Sequence, residues 1–146
     1  MVAGLSRARL LVATLGLALL AGCAESPPEQ LGREDRAAAV PVFELHMPEQ
    51  VWQRTDTRLG EPGVEEPVTL VPEPDGMVRI DLTGEQMVDY LVALDHNAHG
   101  GISADDPELA TAVYDLVVRV IDTMPAPAPG QPAPSIVVPA AVLPPA

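Results

Sequence analysis

The chain has 146 residues, of which 47% are hydrophobic and 3% aromatic, and its formal net charge is −13. That length accommodates one modest domain and does not predict a second independent core. With 21 acidic against 8 basic residues, the chain cannot assemble the cationic face that phosphate binding requires, and this composition excludes a nucleic-acid partner.

The first 22 residues have the layout of a secretory signal peptide. Arg7 and Arg9 precede an uncharged apolar run, residues 10–21, which is shorter than the roughly 20 apolar residues that span a bilayer. The run ends in Leu20-Ala21-Gly22-Cys23, which resembles the lipobox of bacterial lipoproteins. This resemblance implies that Cys23 is lipidated, becomes the first mature residue and attaches the protein to the extracytoplasmic side of a membrane.

Cys23 is the only cysteine in the chain, which excludes an internal disulfide and a cysteine zinc site. The acidic mature chain would be repelled by an anionic membrane surface, so that attachment must come from acyl chains, each buried methylene contributing about 0.8 kcal/mol. We therefore expect the membrane to be a partner through the N-terminal lipid, with a protein of the cell envelope as a further partner.

Composition divides the mature chain into three parts. Residues 23–42 are polar, contain proline and lack apolar periodicity, which predicts a lipidated, disordered tether. Residues 43–124 hold all four aromatic side chains, and a small globular domain is expected there. Residues 125–146 carry eight prolines, which predicts an extended, disordered tail; this tail is either inert or a ligand for an aromatic groove.

Short alternating runs predict a β-hairpin in the first half of this domain. Residues 68–71 and 77–82 are β-branched or alternate between apolar and polar, and an Asp75-Gly76 turn lies between them. The segment from Phe43 to Leu59 is ambiguous and could add a strand that carries Trp52 onto the sheet.

Two amphipathic helices are expected to follow. Thr83 and Gln86 form a capping box, after which apolar residues recur at three- and four-residue intervals, while Asp95 faces water. A second helix begins with Asp106 as its cap and Pro107 at its first position, and Pro125 ends it. The predicted fold class is therefore α+β, a small antiparallel sheet or hairpin followed by an αα-hairpin.

The connection between the two helices resembles an EF-hand calcium loop. The matching residues are Asp95 at position 1, Asn97 at 3, His99 at 5, Gly100 at 6, Ser103 at 9 and Asp106 at 12. His99 offers nitrogen in place of oxygen, and Asp106 is shorter than the usual bidentate glutamate. A turn without an ion uses the same residues: Asn97, Gly100 and Gly101 end the first helix, Ile102 packs beneath the turn, and Asp105 and Asp106 cap the second helix.

Other chemistry is sparse in the mature sequence. A serine nucleophile would be Ser103 with His99 as base and Asp95 as its orienting group, and a transition-metal site would use His96 and His99, while His46 is isolated. We therefore predict a membrane-anchored interaction or structural module of the cell envelope, not an enzyme and without a required cofactor. A weak calcium or other metal-binding module is the alternative, and a hydrolase is the second alternative.

Overall fold

The computed structural model describes residues 25–144, so the predicted signal peptide, the lipobox and Cys23 lie outside the described residues. Four α-helices form within these residues: α1 (Gln30–Ala38), α2 (Glu49–Thr55), α3 (Gly84–His99) and α4 (Pro107–Thr123). They also contain six short strands: β1 (Val42–Pro48), β2 (Thr57–Arg58), β3 (Glu61–Pro62), β4 (Leu70–Pro72), β5 (Met77–Thr83) and β6 (Ser135–Val137). The predicted α+β class is confirmed.

The main sheet has the strand order β4-β5-β1-β6. Strand β5 is antiparallel to both β4 and β1, whereas β6 runs parallel to β1. Leu45, Ile80 and Ile136 are in register across three strands, and all three are buried on the face that packs against the helices. Strands β4 and β5 form the predicted hairpin, whose turn places Asp75 and Gly76 at positive φ.

The ambiguous segment from Phe43 to Leu59 divides into a strand and a helix. Strand β1 confirms the additional strand, but Trp52 lies on α2 and not on the sheet, which corrects that part of the prediction. Its indole ring lies 5.0 Å from the ring of Tyr90, centroid to centroid. Trp52 therefore joins the core from the helix that follows the central strand.

Helices α3 and α4 begin where the sequence predicts. The Thr83 hydroxyl accepts from the Gln86 amide, and the Gln86 side chain accepts from the Thr83 amide, which completes the capping box. Two predicted orientations were wrong. Asp95, expected to face water, is only 8% exposed, and Ile102, expected beneath the turn, is fully exposed.

The predicted tether is wrong over residues 30–40, because this stretch forms α1 and then packs on the body. Ala37 and Val40 are buried, and α1 contacts both α3 and α4. The Arg33 guanidinium donates to Asp122 on α4, with Nη2 2.8 Å from Oδ2, and also to the hydroxyl of Tyr114. Polar contacts thus hold α1 on the body, although the sequence of this helix has no apolar periodicity from which it could be predicted.

The predicted tail is likewise wrong over residues 135–138. Strand β6 adds to the free edge of β1, where the Val138 amide donates to the His46 carbonyl at 2.8 Å. Ile136 and Val138 are 1% and 0% exposed, because the parallel pairing turns these apolar side chains onto the core. The packed body thus extends beyond the predicted 43–124 domain at both ends.

We predict that Gly84→Ala destabilises the protein by about 1–3 kcal/mol, the usual cost of overpacking. An added Cβ at Gly84 would lie 2.5 Å from the Val40 carbonyl oxygen and 2.6 Å from that of Ala37, and these backbone atoms cannot rotate away. Gly32→Ala in α1 is the control; it meets nothing within 4 Å and should add roughly 0.5–1 kcal/mol. Chemical denaturation measures both changes, and equal effects of the two variants would contradict the packing of α1.

We predict that Asp122 makes stability depend on pH in the acid range. Hydrogen bonds from Arg33 hold the pKa of the Asp122 carboxyl below its ordinary value of 3.8, so its contribution is present above that value and is lost as pH falls through the lowered pKa. Asp122→Asn should cost roughly 1 kcal/mol at pH 7, since the carboxylate is partly exposed, and less near pH 2. Asp115→Asn, which alters an exposed carboxylate of the same helix, should leave both values unchanged; denaturation at the two pH values tests this.

Candidate functional site

The predicted calcium loop is mostly helical at its start. Because α3 continues to His99, Asp95, Asn97 and His99 all lie on that helix and not in a loop. Asn97 is fully buried; its Nδ2 donates to the Thr57 carbonyl at 2.7 Å, and its Oδ1 accepts from the Asp105 amide at 3.3 Å. Asn97 therefore joins β2 and the α3–α4 connection to helix α3, and does not end the helix as the turn interpretation predicted.

The remaining residues of the predicted loop are engaged elsewhere. Ser103 donates its hydroxyl to the Gly100 carbonyl at 3.0 Å, and Asp106 pairs with Arg54. Asp106 occupies the N-cap position of α4 at φ 45°, but its side chain accepts no capping hydrogen bond, which corrects the predicted cap. Within residues 25–144, no three His, Cys, Asp or Glu side chains are arranged to hold a metal ion.

Asp95 is instead the centre of a polar cluster at the C-terminal end of α3. His99 Nδ1 lies 2.8 Å from Asp95 Oδ1, and the Ser26 hydroxyl donates to Asp95 Oδ2. The ring of His99 meets the ring of Tyr114 edge-on, with centroids 5.3 Å apart. A cavity of about 220 Å³ adjoins the cluster and is lined in part by Arg58.

The cluster does not have the arrangement of a serine hydrolase. The predicted Asp95–His99 pair is present, but Ser103 is bonded to a backbone carbonyl, and the serine that joins the pair is Ser26. In a nucleophilic triad the serine hydroxyl donates to histidine, whereas Ser26 donates to the carboxylate. The cluster thus ties the N-terminal segment to α3.

The structure also tests two other predictions about histidines, a transition-metal site at His96 and His99 and an isolated His46. His96 Nε2 is buried without a hydrogen-bond partner, and His99 Nδ1 faces Asp95, but among residues 25–144 no third His, Cys, Asp or Glu side chain joins these histidines in an arrangement that could hold a metal ion. His46, predicted to be isolated, lies on the solvent face of the sheet with Nδ1 3.0 Å from Glu73 Oε2. The turn of the β4–β5 hairpin brings Glu73 next to His46, although the two residues are 27 positions apart in the sequence.

A further concavity of the described body is an apolar groove, which we name the proline groove. It has a volume of about 660 Å³ and is lined by residues 39–42, by Val120, Thr123 and Met124 at the end of α4, and by most of residues 125–134. Five of the ten residues in 125–134 are proline, and we call this segment the strap. Sequence reasoning missed the groove because its walls come from the predicted tether and tail; the only signal was the absence of charge across the strap.

The lining of the proline groove contains no ionisable side chain, although the chain carries a net charge of −13. Thr123 and Gln131 are its polar side chains, and each makes a hydrogen bond with the backbone that borders the groove. The Thr123 hydroxyl donates to the Arg119 carbonyl at 2.7 Å, and Gln131 Oε1 accepts from the Ala128 amide at 2.9 Å. The groove therefore favours an uncharged, apolar ligand.

We predict that calcium at micromolar concentration does not shift the melting temperature, since a ligand stabilises a fold only through differential affinity for it. A bound calcium ion at about 100 times its dissociation constant would add roughly 2.7 kcal/mol. Asn97→Ala should cost about 1–3 kcal/mol equally with calcium and with a chelator, because it orphans the Thr57 carbonyl and the Asp105 amide. A saturable calcium shift that Asp95→Ala abolishes would contradict this prediction; thermal melts measure both.

No helix within residues 25–144 is both long and apolar enough to cross a membrane. Comparison of the chain with protein-family models, with curated proteins and with solved structures finds no match.

Proposed function

We propose that this protein is a lipid-anchored binding module of the cell envelope that faces the extracytoplasmic side. Acyl chains on Cys23 hold it at the membrane, and the body formed by residues 25–144 presents the binding surface. The body serves interaction and not catalysis, in keeping with the expectation from the sequence.

The anchor is supported by the leader and by the charge of the chain. Arg7 and Arg9, the apolar run and the four residues Leu20 to Cys23 stand in the order that lipoprotein processing requires. A body with 21 acidic residues gains nothing from an anionic lipid surface, so that only acyl chains supply favourable free energy at the membrane.

The single observation that carries the binding role is the proline groove. A cavity of about 660 Å³ falls within the usual range of roughly 300–1,000 Å³ for ligand sites, and its apolar lining is open to solvent on a strongly acidic body. Exposure of an apolar concavity to water is unfavourable in free energy. A folded protein that keeps such a concavity exposed typically uses it to contact another molecule.

The polar clusters support binding over chemistry. Asp95 is engaged by Ser26 and His99, and His46 is engaged by Glu73. In both cases the contacts join separate segments of the fold: the N-terminal segment to α3, and β1 to the β4–β5 turn. Each cluster therefore joins segments of the fold, which supports a binding role for the body.

The test of the proposal is acylation of the full chain in bacteria supplied with a labelled fatty acid. Wild type should incorporate the label and sediment with membranes, and protease added from the extracytoplasmic side should digest the body. Cys23→Ala should lose the label completely, because the chain has no other thiol.

Ser26→Ala, three residues beyond the cysteine, is the matched control and should keep the label. Equal labelling of wild type and Cys23→Ala would refute the anchor. Protection of the body of wild type from external protease would refute the extracytoplasmic location.

A further inference from the structure

We infer that the end of the body at which α3 finishes rests on the bilayer, where Leu31, Leu59 and Ile102 contact lipid. We call these three side chains the apolar tips. This contact rests on the proposed function, because the acyl chains on Cys23 bring the body to a membrane, and it gives the anchored protein an orientation. The proline groove, at the start of α3, then faces away from the membrane.

The N-terminal segment joins the body close to the end of α3. The Ser26 hydroxyl donates to Asp95, which lies four residues before the last residue of the helix, about 6 Å along its axis. Cys23 is three residues from Ser26, and three residues span at most about 11 Å. The start of α3 at Gly84 lies about 16 Å from Asp95 in the other direction. The acyl chains therefore hold the C-terminal end of α3 nearer to the bilayer than its start.

The most exposed large apolar side chains of residues 25–144 lie at this same end. Ile102 is fully exposed, and Leu31 and Leu59 are 74% and 63% exposed. The other large apolar side chains that are exposed within residues 25–144 are valines in strands of the main sheet. Exposed leucine and isoleucine are thus concentrated where the anchor attaches, and a bilayer is the apolar phase within their reach.

Two of the apolar tips lie on turns that surround the end of α3. Ile102 is three residues beyond His99, the last residue of the helix, in the connection to α4. Leu59 is in the turn between β2 and β3, and the Asn97 side chain ties β2 to the last turn of α3 through the Thr57 carbonyl at 2.7 Å. Both side chains are mostly open to solvent, so they can enter a lipid layer while every helix and strand stays intact.

The third apolar tip, Leu31, lies in the first turn of α1, five residues after Ser26. Its neighbour Gln30 accepts a hydrogen bond from the Tyr114 hydroxyl, and the ring of Tyr114 meets the ring of His99 edge-on. Leu31 therefore lies beside the end of α3, whereas the last turn of α1 crosses the start of that helix.

The spacing of the apolar tips suits a bilayer better than a protein partner. The three side chains come from three separate elements and do not form one continuous patch, which a protein interface requires. A fluid lipid layer receives isolated side chains at any spacing. The anchor also raises the local concentration of lipid around the tips, so that individually weak contacts suffice.

The charges at this end favour a zwitterionic lipid. Arg58, next to Leu59, is exposed and is not among the arginines that form ion pairs within residues 25–144, so it is available to a lipid phosphate. Glu61 follows the same turn and Asp105 lies in the same connection as Ile102, and both carboxylates are exposed. This end therefore gains no net attraction to an anionic surface, and the apolar tips must supply the favourable free energy.

The experiment places a fluorescent label on single introduced cysteines of the full-length, acylated protein. Acylated Cys23 has no free thiol, so a maleimide derivative of nitrobenzoxadiazole reacts only at the new cysteine. The labelled variants are Leu59→Cys and Ile102→Cys, with Ala126→Cys as the matched control, since Ala126 is exposed and lies just beyond the end of α4 in the strap. The protein is bound to phosphatidylcholine vesicles in which some acyl chains carry a nitroxide that quenches the label.

We expect quenching at positions 59 and 102 to be at least about threefold greater than at position 126, since interfacial apolar groups lie roughly 5–10 Å deep. In the chain labelled at position 59, Ile102→Asp should remove about half of the quenching or more, because a carboxylate resists transfer into lipid. Val137→Asp makes the same change at an exposed valine of the sheet and should leave the quenching unchanged.

Three results would overturn this orientation. Equal quenching at positions 59, 102 and 126 would show that the anchored body has no fixed face toward the bilayer. Labels at positions 59 and 102 that stay in water on floating vesicles would leave the apolar tips to a protein partner. Equal losses in Ile102→Asp and Val137→Asp would assign the effect to general charge.

Failure of the proposed function gives a different result. A chain without acyl groups would not float with the vesicles, and its Cys23 thiol would itself react with the maleimide. In each of the three results above the chain is acylated and floats, so the orientation of the body and the presence of the anchor are judged separately.

Discussion

The crossing of residues 37–40 over Gly84 is the contact on which the rest of the arrangement depends. Three backbone carbonyls lie where a side chain at position 84 would stand, which brings the end of α1 directly onto the first turn of α3. The preceding residue, Thr83, both caps α3 and pairs with Val42 in the sheet. One short stretch therefore joins α1, the two central strands and α3, and it also positions residues 39–42, which form one wall of the proline groove.

Polar contacts complete the attachment of α1, which buries little apolar surface of its own. Ser26 reaches Asp95 at one end, and Arg33 reaches Tyr114 and Asp122 farther along the helix. The chain has only 8 basic residues, so Arg33 alone uses a substantial share of the positive charge for a tertiary contact. The same contacts explain why the serine, histidine and aspartate near the end of α3 form a structural cluster: the carboxylate connects segments, and the hydroxyl donates to it and not to an imidazole.

The return of the chain to the sheet creates the groove. After α4 ends, the strap must cross from Met124 to Ser135 before β6 can pair with β1, and its prolines keep this crossing extended. The Glu44 amide donates to the Pro134 carbonyl at 3.0 Å, which fixes the far end of the strap to the central strand. The space between the strap, the end of α4 and residues 39–42 remains open because no large side chain of residues 25–144 fills it. Much of the groove lining thus comes from the segment that composition marks as a tail.

The sequence by itself determined the elements whose signals are local. The capping box at Thr83 and Gln86, Pro107 at the start of α4 and the Asp75-Gly76 turn each satisfy or constrain neighbouring backbone groups, and all three lie where predicted. Only the tertiary structure decided the roles of α1, β6 and the 95–106 connection, because these depend on partners far away in the chain. The polar helix α1 is stable here because Arg33 pairs with Asp122, and the strand β6 forms because β1 has a free edge. Asn97 is buried because its side chain donates to the Thr57 carbonyl and accepts from the Asp105 amide. Local periodicity carries no information about such long-range pairings, so the residues that line the groove could not be brought together from the sequence.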